Sequence, residues 1–166
     1  LLVFHCDDFI YFKYCLEMTE VLVSDFDMQG VIVLLNKDVN AFAENINPKK
    51  VLEDIWLIDC VSLISGMGKP ALKNCITVNH PSNQQDILVS ITKAISNLDS
   101  KNKFVILISP HVLMQYSDVN NLGLFFNNLK TFIKEKHALD VVMVEKENNA
   151  VFEGSVERIA DTTMSI

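Results

Sequence analysis

The stretch Leu1 to Val23, LLVFHCDDFIYFKYCLEMTEVLV, decides the fold. It opens with a short apolar run and passes through a polar turn at His5-Cys6-Asp7-Asp8. It then becomes helix-periodic, with Tyr14, Cys15, Met18, Val21 and Leu22 at spacings that share one face. The outline is a strand, a tight loop and a helix. A chain that starts at Leu1 inside an apolar run reads as one with its true start trimmed away.

In nucleotide-binding α/β domains such a unit carries G-x-x-x-x-G-K-[S/T]. Its glycine backbone wraps the phosphates, its Lys reaches the outer ones and its hydroxyl holds magnesium. With Lys13 on the motif Lys, the first Gly becomes Asp7, the second Phe12 and the hydroxyl position Tyr14. A carboxylate then faces phosphate, a benzyl group sits where backbone must approach closely, and a phenol replaces a compact magnesium ligand. The frame is retained and the chemistry is removed.

Further along, Val31 to Leu35 reads as a buried strand, and Asp38 caps a helix through Ile46 that Asn47-Pro48 breaks. Ile55 to Ile58 is a third strand, ending in Asp59. Cys60 to Leu72, with Gly66, Gly68 and Pro70, is an irregular loop, and Cys75 to Val78 is a fourth strand. Ser82 with Gln85 forms a capping box for a helix whose buried stripe is Ile87, Leu88, Ile91, Ile95 and Leu98. Phe104 to Ile108 is the most hydrophobic strand and the candidate for the sheet centre. A long helix follows with Leu122, Phe125, Phe126, Leu129, Phe132 and Ile133 at helical spacing, as core rather than a stacking surface for bases. Val141 to Val144 is another strand, and Ala150 to Phe152 with Ile159 to Ile166 read as closing strands joined at Gly154. Strands and helices in alternation predict an α/β fold, a mostly parallel sheet with helices on both faces, finished by antiparallel C-terminal strands.

The 166 residues fit one domain, 1–166, and 49% apolar content supplies a sizeable core. A net charge of −7, with no Lys/Arg cluster beyond Lys49-Lys50 and Lys134 to Lys136, argues against direct nucleic-acid binding. Cys6, Cys15, Cys60 and Cys75 form no C-x-x-C pair and read as reduced thiols of a cytoplasmic protein. The apolar runs are far shorter than the ~20 residues of a membrane span.

Three stretches resemble the RecA/KaiC-like branch of P-loop ATPases, more narrowly the archaeal KaiC-like proteins. They are Gly30 to Ser62 (GVIVLLNKDVNAFAENINPKKVLEDIWLIDCVS), Asn74 to Ile95 (NCITVNHPSNQQDILVSITKAI) and Lys103 to Glu145, with the Y-x-D-V turn at Tyr116 to Val119. The resemblance implies a three-layer RecA-like fold and a tendency to self-associate, as a dimer or larger assembly, or to act beside a protein partner. It also implies where catalysis would lie. The acidic residues that activate water after the second strand fall on Asn36 and Lys37, and the magnesium-supporting Asp falls on Ser109. With the altered loop at Asp7, Phe12 and Tyr14, these departures imply a pseudo-ATPase with no resident cofactor, ATP and magnesium being disfavoured.

In open α/β sheets ligands gather beyond the carboxyl ends of the strands. That rim presents His5, Asp7, Asp8, Asn36, Asp59, His80, Ser109 and His111. His5, His80 and His111 are the residues a metal would need, although they lack metal-ligand spacing; the bland alternative is that polar loop residues fall at strand ends. Ser109-Pro110-His111 offers a nucleophile and a base without a G-x-S-x-G elbow. Lys13 is either a residual anion ligand or a solvated helix residue, and Asp7-Asp8 is a turn former rather than a catalytic pair.

Overall fold

A computed structural model describes residues 1–6, 10–145 and 150–165. Its first unit is the expected one: β1 (Leu2–Cys6) leads into α1 (Tyr11–Ser24). There follow β2 (Gln29–Leu34), α2 (Val39–Asn45), a 3-10 turn, β3 (Ile55–Asp59) and β4 (Cys75–Thr77). The second half runs α3 (Gln84–Ser96), β5 (Lys103–Ile108), α4 (Val119–Glu135), β6 (Ala138–Glu145), α5 (Ala150–Glu157) and β7 (Thr162–Ser165).

The strands form one sheet in the order β4-β3-β2-β5-β6-β1-β7, and every pairing is parallel. β5 stands in the middle, as its hydrophobicity predicted. A central parallel strand is covered on both faces, and Phe104 to Ile108 are all fully buried. On one face Val31, Val33, Val105 and Leu107 pack with Ile87, Ile91 and Ile95 of α3 and Phe125, Phe126, Leu129 and Ile133 of α4. On the other, Ile32, Leu34, Ile106 and Ile108 meet Tyr11, Cys15 and Leu16 of α1 and Val39 and Phe42 of α2. Gly30 is aligned with Phe104 across β2 and β5, and a Cβ there would lie 2.2 Å from the ring. Only a residue without a side chain lets that ring lie over the strand.

Three expectations are corrected. Ala150 to Phe152 is not a strand: it opens α5, where Phe152 and Val156, four residues apart, are both buried and Phe152 stacks edge-on against Phe126 at 6.1 Å. That helix carries the chain back to the starting end of the sheet, so β7 runs parallel to β1 rather than antiparallel. The cap of α3 is also displaced by one residue. Asn83 accepts from the Asp86 N–H at 3.2 Å, while the Ser82 hydroxyl turns to His80 Nδ1 at 2.8 Å. The α2 cap stands as expected, with Asp38 accepting from the Asn40 N–H at 2.8 Å.

The buried face of α1 is the third correction. Of the predicted face, Cys15 is buried and Tyr14, Met18 and Leu22 pack half-buried against the core, whereas Val21 is 43% exposed, and Tyr11, Leu16 and Thr19 are buried beside them. A polar residue hides the true stripe from a hydrophobicity reading: Thr19 is buried because its hydroxyl donates to the Cys15 carbonyl at 2.7 Å.

Candidate functional site

The site is the carboxyl edge of the central strands. α1 brings Tyr11 to it, Ser109 directly follows β5, and the turn after β2 supplies Asn36 and Lys37. Ser109 is fully buried and held at φ 57°, ψ 51°, a left-handed conformation rare for a residue with a Cβ. Its hydroxyl donates to the Tyr11 hydroxyl at 3.2 Å, and Tyr11 donates to Asn36 Oδ1 at 3.4 Å. Lys37 Nζ lies 5.2 Å from the centre of the Tyr11 ring and 5.8 Å from that of Phe12. A cation over two aromatic faces is held there by their quadrupoles.

Tyr11 is the residue the sequence reading missed. Its signal was the i, i+4, i+5 spacing of Tyr11, Cys15 and Leu16. The residues placed on the phosphate-loop motif go elsewhere. Lys13 is 73% exposed and pairs with Glu17 at 3.5 Å, one turn along the same helix. Phe12 packs edge-on against Phe42 at 6.2 Å, and Tyr14 lies half-buried against the core beneath α1. Asp7 and Asp8 lie outside the described residues.

The three histidines are held on different elements. His5 on β1 is buried, with Nε2 3.4 Å from Glu157 at the end of α5. His80 accepts the Ser82 N–H on Nδ1 at 3.1 Å and lies edge-on to Tyr116 at 4.8 Å. His111 stacks edge-on against Phe152 at 6.4 Å. Among the described residues no group of three or more His, Cys, Asp or Glu side chains could hold a metal ion. Ser109 is turned to Tyr11 and His111 to Phe152, so the suggested nucleophile and base are held by different partners.

Asp59 is fully buried, and its Oδ1 accepts from the N–H groups of Val61 and Ser62, each at 3.0 Å. It organises the turn that follows β3. Burial pushes the neighbouring Cys60 thiol far up, with the Asp59 charge adding to it. The same two causes, in that order, take Cys75 up to about 12. Neither thiol supplies a thiolate near neutral pH, so neither is a nucleophile or a ready metal ligand. Beside this turn a cleft of about 320 Å³, lined by Leu35, Asn36, Val61, Ile64, Val112 and Tyr116, opens at the ends of β2 and β3. Its walls are mostly apolar and carry no charged group.

Chemically, the central edge offers a hydroxyl, a phenol, an amide and a cation resting on aromatic rings. Among the described residues these groups include no carboxylate, and Asp59 at the end of β3 accepts on Oδ1 from the Val61 and Ser62 N–H groups.

No family model and no curated protein matches the chain. Among solved structures it is similar to a KaiC-like protein of the hyperthermophilic archaeon Pyrococcus horikoshii OT3, with a TM-score of 0.69 at 15% identity. The similarity covers 99% of this chain and 72% of the other, and it is a likeness of fold. Among the described residues no helix is long and apolar enough to cross a membrane.

Proposed function

We propose that this chain is a single RecA/KaiC-like domain that does not turn over ATP and works as a regulatory or protein-interaction module. The observation that carries the reading is the hydrogen bond from Ser109 to Tyr11. Where an ATPase of this architecture would need an acidic side chain beside an open phosphate site, this chain has a serine closed against a phenol. The turn after β2 adds to it: Asn36 accepts from Tyr11 and Lys37 covers the Tyr11 ring, so neither position holds a base. The outward turn of Lys13 toward Glu17 weighs against the competing reading, in which nucleotide is gripped without hydrolysis.

Isothermal titration with ATP and magnesium, together with a phosphate-release assay, tests the reading. The expected result is no turnover and no binding in the micromolar range. Micromolar binding with turnover overturns it. For the competing reading, a nucleotide affinity unchanged in Lys13→Ala removes the one side chain on which it rests.

A further inference from the structure

Two clefts at the carboxyl edge lie side by side and share the ring of Tyr116, which His80 holds edge-on at 4.8 Å. One is the apolar cleft of about 320 Å³ walled by Leu35, Val61, Ile64 and Val112. The other, of about 440 Å³, runs between the starts of α3 and α4. It is lined by the carboxamides of Gln84, Gln85, Asn121 and Asn128 and the hydroxyl of Ser117. Pro81 falls in the first cleft and Ser82, the next residue, in the second.

The winding of the sheet puts an opening here. After β2 the chain leaves for the face on which Val39 and Phe42 of α2 pack, and after β5 for the face on which α4 packs. Neighbouring strands whose continuations depart to opposite faces leave a crevice at their carboxyl ends. The apolar cleft takes Leu35 from the end of β2 and Val112 from beyond β5, so it stands in that crevice.

Its chemistry narrows what can enter. Among the described residues no charged side chain lines either cleft, in a chain of net charge −7. A charged ligand would give up hydration there and meet no counter-ion. The amide groove holds hydrogen-bonding capacity that the chain does not spend. The Gln85 and Asn128 side chains are exposed and bond to no other described residue, and Gln84 Nε2 is buried with no acceptor. A carbonyl drawn in beside Gln84 would supply one and relieve the cost of a buried unpaired donor. Each carboxamide both donates and accepts, as a peptide group does. Beside these amides Ile64 is 49% and Tyr116 42% exposed. An aliphatic group flanked by amides is the composition of a polypeptide, whereas a sugar brings no aliphatic end and a nucleotide brings charge.

We propose that this crevice binds an extended, uncharged peptide segment of a protein partner. One aliphatic side chain of the segment seats against Val61, Ile64 and Val112, and the flanking backbone amides bond to Gln84, Gln85 and Asn128. The inference rests on the protein-interaction part of the proposed function and names the chemistry of the partner.

An NMR amide-shift titration of the unaltered chain with N-acetyl-leucine methylamide, one isobutyl group between two peptide groups, tests it. Millimolar binding is expected, with shifts at Val61, Ile64 and Val112 and at the side-chain amides of Gln84, Gln85 and Asn128. N-acetyl-glycine methylamide should bind at least about fivefold more weakly, because the buried aliphatic group is gone. Ile64→Asp replaces a half-exposed side chain, so the spectrum away from the cleft should be unchanged while the preference for the leucine compound disappears. Asn128→Ala should weaken both compounds alike, by about two- to threefold. No shifts up to about 50 mM, shifts centred elsewhere, equal affinity for the two compounds, or a leucine preference that survives Ile64→Asp would each overturn the assignment. The titration contains no nucleotide, so its failure leaves the ATP reading standing, and ATP turnover in the separate assay would sink that reading alone.

Discussion

The centre and the margin of this sheet obey opposite rules. At β5 every side chain from Phe104 to Ile108 is buried, and the residue that ends the strand, Ser109, is closed against Tyr11. At β7 every residue is exposed, and hydrogen bonds to β1 and the Lys130 to Asp161 contact hold the strand and its approach. The contrast shows where this fold draws its stability. A parallel sheet is stabilised where helices cover both faces, so its middle is committed to packing, while the last strand is held by its ladder to one neighbour.

The largest expected effect breaks the centre. Phe104→Ala removes a fully buried ring that lies over Gly30 and should cost about 3–5 kcal/mol in urea unfolding. Tyr11→Phe keeps the ring and deletes the hydroxyl that accepts from Ser109 and donates to Asn36. It should cost about 1–2 kcal/mol in the same assay. On the proposed reading neither the unaltered chain nor this variant turns over ATP, and turnover by either counts against it.

Between centre and margin, Asn83→Ala should cost about 1 kcal/mol by removing the acceptor for the Asp86 N–H, and Ser82→Ala clearly less. Equal losses would return the cap of α3 to Ser82. The smallest effect belongs to the margin. The Lys130 hydrogen bond holds the Asp161 carboxyl below its ordinary value. A carboxylate with a lowered folded-state value stabilises above its unfolded value. The contribution is therefore present above the ordinary carboxylate range and is lost as pH falls below it. A carbon-detected titration of Asp161 should show the low midpoint, and Lys130→Gln should move it upward.

Much of the centre was legible in the residues. The apolar run of Phe104 to Ile108 marked the middle strand, and Asp38 marked its helix start, because burial on both faces and a capping oxygen leave local signatures. The residues on which the proposal of a domain without ATP turnover rests, Phe12, Asn36, Lys37 and Ser109, were equally plain, since they are matters of residue type. Other features were hidden. Thr19 disguised the buried stripe of α1, and with it the inward turn of Tyr11, because a hydroxyl satisfied by its own helix is buried at little cost. Ala150-Val151-Phe152 looked like a strand because three apolar residues cannot distinguish a period of two from one of 3.6.

Residue order and type by themselves determined that strands and helices would alternate around one very apolar strand. Tertiary structure decided which residue occupies the centre of the carboxyl edge and which way β7 runs. Those outcomes depend on helix rotation, crossover direction and strand neighbours, which arise from contacts between segments far apart in the chain, and a local pattern carries no record of them.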